Sequence, residues 1–304
     1  MPATIRTRDE AAGRLSRGRP TAQPASATAS VAAVLRGPRR PATIVARGPY
    51  AVYARDDDAV VAVLARDAVQ VPCGLATAWD HLGDVREITL GGGVCTVDRR
   101  DLRVGRLVDA TVRRRATVPV LDVEHRVALT AAVRPDLPGL PSGTYEALRE
   151  DDPAATGALL GRGPGLTPLG DDVLAGWLVG RYAQGHRGGR VAAAVLSDAH
   201  ARTTTVSAVL LAHAVRGEAI PALRDHVAAL GGPGAPASLI ALRAVGHTSG
   251  TGLALGVALS FPSGDLPSPA LPSPAQPSPT LPSPDLSTRP PSPHGPDDRR
   301  RGDR

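Results

Sequence analysis

Gly161-Arg162-Gly163-Pro164-Gly165-Leu166-Thr167-Pro168-Leu169-Gly170-Asp171-Asp172 runs directly into the apolar stretch Val173-Leu174-Ala175-Gly176-Trp177-Leu178-Val179. Loop chemistry turns abruptly into a helical pattern, and Asp171 or Asp172 stands where an N-cap belongs. A glycine-rich loop feeding a helix start is a physical recipe for holding an anion. Backbone N–H groups are unpaired there and the helix dipole favours negative charge. The segment is not a Walker loop, because the Gly-Lys-[Ser/Thr] ending is absent. The plain alternative is a rigid turn with a capped helix.

Two further segments share this grammar. Gly246-His247-Thr248-Ser249-Gly250-Thr251-Gly252 precedes the apolar run Leu253 to Phe261, and Arg202-Thr203-Thr204-Thr205-Val206-Ser207 opens Ala208 to Ala212. Three hydroxyl-rich helix starts suggest N-termini converging on one small polar ligand. The predicted convergence brings Thr167, Arg202 and Ser249 to one pocket.

These segments resemble the AllH-like family, whose best-known members are associated with oxamate carbamoyltransferase. The family pattern Gly-Pro-Gly-Leu-Thr-Pro-Ser-Gly-Asp-Asp corresponds to Gly163 to Asp172, with Leu169 in place of the usual serine. Arg-Thr-Thr with a serine three residues on corresponds to Arg202 to Ser207, and Gly-His-[Ser/Thr]-Ser-Gly to Gly246 to Gly250. The resemblance spans about residues 30–262. It implies a carbamoyltransferase component acting on a small amide or carboxylate such as oxamate with carbamoyl phosphate, or a non-catalytic small-anion-binding subunit that supports a partner enzyme.

The motif positions define the candidate site. Asp171, Asp172 and His247 are candidate catalytic residues. Gly163, Gly165, Thr167, Gly170, Arg202, Thr203, Thr204, Thr248, Ser249 and Gly250 are candidate substrate contacts. A guanidinium grips a carboxylate or phosphate through a bidentate fork, so Arg202 is the expected anion ligand. Asp171 and Asp172 repel a phosphate and are expected to face an amide nitrogen, a metal or a helix start. Attack of an amide nitrogen on a carbamoyl carbon needs positioning and charge stabilisation more than a covalent nucleophile. Each residue has a structural reading beside this one: Asp172 as a cap, Arg202 as a surface ion-pair partner, His247 as a core histidine. Adjacent helical side chains diverge by about 100°, so the two aspartates need not share a metal, and neither a metal nor a cofactor is expected.

Composition narrows the classes. A hydrophobic content of 42% supports a core, and 2% aromatics means that core is built from Ala, Val and Leu. The chain has no lysine, which excludes Schiff-base chemistry. Residues 1–40 carry eight Arg against Asp9 and Glu10, and residues 287–304 carry five Arg against three Asp, so the net charge of +6 sits in the two ends and the stretch between is slightly acidic. With stacking aromatics also scarce, no specific nucleic-acid partner is expected. Cys73 and Cys95 form no Cys-x-x-Cys pair and read as free thiols. No secretory signal or membrane span is legible, so a cytoplasmic location is expected. The oligomeric state is not legible.

The order of patterns predicts an α+β fold. An Arg/Ala/Ser-rich arm, 1–28, is expected to be disordered. A β-rich domain follows at 29–135, as an antiparallel sheet or small barrel. Its expected strands are 42–46, 51–54, 60–64, 68–71, 85–90, 94–97, 107–112 and 118–121, with Gly91-Gly92-Gly93 as a turn. A helical domain, 136–262, carries the long motif. Its expected helices are 142–149 (with Ser142 as cap), 154–160, 171–183, 191–201, 204–216, 220–230, 237–244 and 249–260. Residues 263–304 form a Pro/Ser-rich tail that reads as an extended, disordered tether.

Overall fold

The computed structural model describes residues 22–57 and 59–262 of the 304. Strand β1 (Gln23–Ala27) and helix α1 (Ala29–Arg36) lead into β2 (Arg40–Arg47), β3 (Ala51–Asp56), β4 (Ala59–Leu64), β5 (Gly74–Ala76), β6 (Ile88–Gly91), β7 (Val94–Val97) and β8 (Arg100–Leu107). The eight strands close into a barrel in the order β1-β5-β4-β3-β2-β6-β7-β8. Alternation drives the closure. Val52 and Ala54 of β3 and Val61 and Val63 of β4 point inward, meeting Leu75, Leu90, Val97 and Leu102 from the other strands. Helix α1 adds Val31 and Leu35 to the same core, and its start is held by Thr28, whose hydroxyl accepts the Val31 N–H and donates to the Pro72 carbonyl.

The expected antiparallel pairing holds along β5–β1, β4–β3–β2 and β2–β6–β7–β8, but β4–β5 and β1–β8 run parallel. The segment 65–73 crosses over and returns β5 alongside β4 in the same sense, so its apolar run 68–71 is a loop and not a strand. The expected strands 107–112 and 118–121 are also absent. Thr111 makes one isolated bridge to Glu218, and Val118 and Val120 are exposed. The arm expected to be disordered to residue 28 is structured from Gln23, because both edges of β1 are paired in the barrel. Residues 1–21 and the tail 263–304 lie outside the described residues.

Helix α2 (Val123–Val133) falls inside the stretch expected to be β. Its cap Asp122 accepts the Glu124 N–H, and a 3-10 turn (Arg134–Asp136) ends it. The remaining helices follow the sequence pattern closely: α3 (Thr144–Arg149), α4 (Ala154–Leu159), α5 (Leu169–Ala183), α6 (Arg190–Arg202), α7 (Thr205–Val215), α8 (Pro221–Ala229), α9 (Ala235–Arg243) and α10 (Ser249–Ser260). Gly143, not Ser142, occupies the cap position of α3. The molecule is thus α+β, a mixed barrel followed by helices. Among the described residues no helix is long and apolar enough to cross a membrane.

The parallel pair α5 and α10 is the axis of the helical half. Gly252 lies against Leu169 and Asp172, Gly256 against Val173 and Trp177, and Gly180 against Ser260. A Cβ at Gly256 would sit 2.1 Å from the Val173 carbonyl oxygen, and one at Gly176 would sit 2.1 Å from the Leu253 carbonyl oxygen. Glycine is therefore required where the two backbones touch. Around this contact Trp177, Leu174, Leu255 and Val257 are fully enclosed, each contributing roughly 1.5–3 kcal/mol of burial. On the barrel side, Ala62 and Leu64 of β4 pack with Cys73 against Val209 and Leu210 of α7. Cys73 and Cys95 are free and buried. Burial pushes both thiols up to about 12, so they behave as small apolar groups.

Candidate functional site

Three helix starts meet at one end of the α5–α10 pair. Because the two helices run parallel, their first turns lie together, and Thr167 Oγ1 is 3.1 Å from Ser249 Oγ. The start of α7 joins them. Thr204 caps α7 by accepting the Ser207 N–H at 3.0 Å, and its hydroxyl donates to the Leu166 carbonyl at 2.6 Å.

Asp171 ties these starts together and is not an N-cap. Pro168 occupies the cap position, so both aspartates sit within the first turn of α5, and the expected capping role is corrected. Asp171 is 1% exposed. Its Oδ1 accepts the Gly161 N–H at 2.6 Å, and its Oδ2 accepts the Ser207 hydroxyl at 2.6 Å and the Thr203 hydroxyl. Burial raises its carboxyl above the usual range against the pull of these three hydrogen bonds. Gly161 is at φ +72°, and a Cβ there would stand 2.2 Å from the Arg202 carbonyl oxygen. The loop before α5 is therefore pressed onto the end of α6.

Asp172 points elsewhere, as the rotation between neighbouring helical residues requires. It is 7% exposed, and among the described residues its buried Oδ2 has no hydrogen-bond partner. Burial pushes its carboxyl up to about 7; the Ser249 hydroxyl pulls it down and the charge of Asp171 adds to the rise. Asp172, Thr167 and Ser249 line a cavity of about 250 Å³. The opposite wall comes from the barrel, through Tyr53, Val69, Val71 and Pro72, and from Ile220 and Leu223 beyond α7. Burial and the nearby Cys73 push the Tyr53 phenol up to about 12, so it stays protonated. Glu218 also lines the cavity. Burial pushes its carboxyl up, but His213 and Arg216 outweigh that and hold it below the usual range. The His213 ring contacts the same carboxylate.

The other expected site residues fall into distinct places. Gly163 (φ +109°) and Gly165 (φ +100°) shape the loop, and only Gly163 packs against Leu169. Gly170 is pressed on the Leu159 carbonyl and Gly250 on the Leu242 carbonyl. Thr248 precedes α10 without a side-chain cap bond, and His247 is exposed on the same turn. Arg202 is not brought to the cavity. Its guanidinium donates to the Gly157 carbonyl at 2.8 Å and lies 3.9 Å from Asp198.

At two of these starts several N–H groups of the first turn are already used within the fold. At α5 the N–H groups of Gly170, Asp171 and Asp172 already donate to the carbonyls of Arg162 and Pro168. At α10 those of Gly250, Thr251 and Gly252 donate to Val245 and Thr248. The charged residues lining the cavity are Asp172 and Glu218, with no guanidinium among the described residues. An acidic cavity with two hydroxyls favours a ligand that donates N–H groups. The barrel wall and Glu218 were not legible as site residues, because distant segments supply them and no local motif marks them.

Fold and site define an α+β protein with a cavity between a closed barrel and converging helix starts. Residues 159–261, which hold α5 to α10, match the family model described as oxamate carbamoyltransferase subunit AllH, so the resemblance drawn from the three motifs holds for this segment. No solved structure matches the chain.

Proposed function

We propose that this chain is a carbamoyltransferase component whose cavity holds the acceptor substrate, a small amide such as oxamate. The observation that carries the reading is the Asp172 carboxyl, which lines a cavity with the paired hydroxyls of Thr167 and Ser249 and whose buried Oδ2 has no partner among the described residues. An amide N–H supplies the missing donor. One of the two hydroxyls donates to the other, and the remaining O–H can donate to an oxygen atom of the same substrate. Carbamoyl transfer forms a bond from the acceptor nitrogen to the carbamoyl carbon, and the carbon–oxygen bond to phosphate breaks as phosphate leaves with the electron pair. The nitrogen must give up a proton, and a carboxylate poised near neutrality is suited to take it. Asp171 positions this machinery and does not touch the substrate.

A second reading is a non-catalytic binding subunit that works beside partner subunits in the cytoplasm. It is favoured by the absence of a cation from the cavity lining among the described residues, which leaves the phosphate of carbamoyl phosphate to be held elsewhere. Calorimetric titration with oxamate tests the shared part. Asp172→Asn should weaken oxamate binding tenfold or more, while Arg202→Ala should leave it unchanged. Oxamate affinity unaffected by Asp172→Asn rejects the acceptor site. Turnover of carbamoyl phosphate and oxamate by the lone chain selects the first reading over the second.

A further inference from the structure

A second cleft, of about 800 Å³, lies at the far end of α10, lined by Arg126 of α2, Arg134 of the 3-10 turn and Arg149 of α3. Two arginines elsewhere that lie against the fold are consumed by it. Arg115 donates to the carbonyls of Val227, Ala228 and Leu230, and Arg162 to those of Ala158 and Pro138. Among the described residues the guanidinium groups of Arg126, Arg134 and Arg149 make no ion pair or hydrogen bond. Glu146 is the single carboxylate in the lining. The lining is therefore net positive, with three guanidinium groups against one carboxylate. Burial and the charge of Arg149 hold the Arg126 guanidinium below its usual range, with Glu146 acting the other way, as expected of groups crowded in one cleft. The walls are not uniformly polar. The half-buried Tyr145 ring faces the cleft with Val127, which is 60% exposed, and Leu259.

We infer that this cleft binds a phosphate-bearing ligand with a flat or apolar body, of the nucleoside triphosphate class. Guanidinium forks match phosphate oxygens, and a tyrosine ring beside aliphatic side chains suits a base. The volume is in the range of small-molecule sites and exceeds what phosphate alone fills. The site is separate from the acceptor cavity. Leu259 lies near the C-terminal end of α10 and Ser249 begins it, so ten residues of helix, about 15 Å, part them.

Calorimetric titration of the full chain with ATP, tripolyphosphate and adenosine at low salt tests the inference. ATP should bind saturably and more tightly than tripolyphosphate. Arg126→Ala and Arg149→Ala should each weaken it tenfold or more, as should Val127→Glu, which adds a carboxylate at an exposed position. Arg187→Ala, an exposed arginine away from the cleft, should leave it unchanged, and so should Asp172→Asn. The last variant separates failure here from failure of the acceptor site. No saturable ATP binding, or ATP binding that survives all three cleft substitutions with unchanged melting, overturns the inference. Equal affinity for ATP and tripolyphosphate overturns the nucleoside part.

Discussion

The two sides of the first turns of α5 differ more than their sequence suggests. On one side the chain is closed: both oxygens of Asp171 are engaged, by three donors in all, and further along α5 the backbone touches α10 through Gly176 and Gly256. On the other side it is hollow: Asp172 keeps an unpaired oxygen beside a cavity. The difference separates two uses of one residue type. A carboxylate with both oxygens engaged fastens segments together. One left short of partners at a cavity costs stability, and a ligand that supplies the donor recovers it.

The closed side should break hardest. Gly256→Ala forces a methyl group against the Val173 carbonyl and the Trp177 N–H, both backbone atoms that cannot rotate away. We expect a loss of about 3 kcal/mol or more in denaturant unfolding. Near-native stability would mean that the helices separate at little cost, and the contrast between the sides would weaken.

Asp171→Ala should come next. It strands the Gly161 N–H and the hydroxyls of Thr203 and Ser207 in a buried place. The expected loss is about 2–4 kcal/mol. Asp171→Asn should recover part of it. A change below about 0.5 kcal/mol would remove Asp171 as the fastening between loop, α5 and α7.

Asp172→Asn should have the smallest effect on folding, and its sign should depend on pH. The Asp172 carboxyl is raised from 3.8 to about 7, so the folded chain binds a proton that the unfolded chain releases. The associated stability is fully present below about pH 3.8 and is lost as pH rises through 7. Against Asp172→Asn, the wild type should therefore gain on the order of 2–3 kcal/mol between pH 8 and pH 5. At pH 8 the variant should be as stable as the wild type or more so. A stability difference independent of pH would show that Asp172 is not held protonated by its surroundings.

Reading from sequence succeeded where the signal was local. Helix starts at residues 204 and 249 were legible because hydroxyl-bearing turns precede long apolar runs, and the α7 cap is Thr204 as its position suggests. The barrel was legible where strands alternate and turn on glycine, as at Gly91-Gly92-Gly93. It was not legible in β1, whose Gln-Pro-Ala-Ser-Ala owes its strand conformation to two neighbours distant in sequence, nor in β8, whose three arginines hide one inward Leu102. Arg202 sits at the end of α6 with its guanidinium on the Gly157 carbonyl of α4, and motif position alone did not reveal that it is spent there. Nor could the motif distinguish Asp171 from Asp172, because what each one faces is decided by α7 and by the barrel.

The parallel seam between β1 and β8 has a consequence for how the chain emerges during synthesis. Among the described residues the strand Gln23–Ala27 has only β5 and β8 as neighbours. It must wait unpaired until Ala76 has appeared, and the ring cannot shut until Leu107 has. At ordinary translation speeds that second interval is roughly 5–15 s, long compared with hairpin formation in about 10 μs. The hairpins from β2 to β4 and from β6 to β8 therefore have time to form before the first strand is fitted between them. Anything that shields the nascent Gln23–Ala27 segment, or delays the ribosome before Leu107, should act on the yield of closed barrels more than on the stability of the finished molecule.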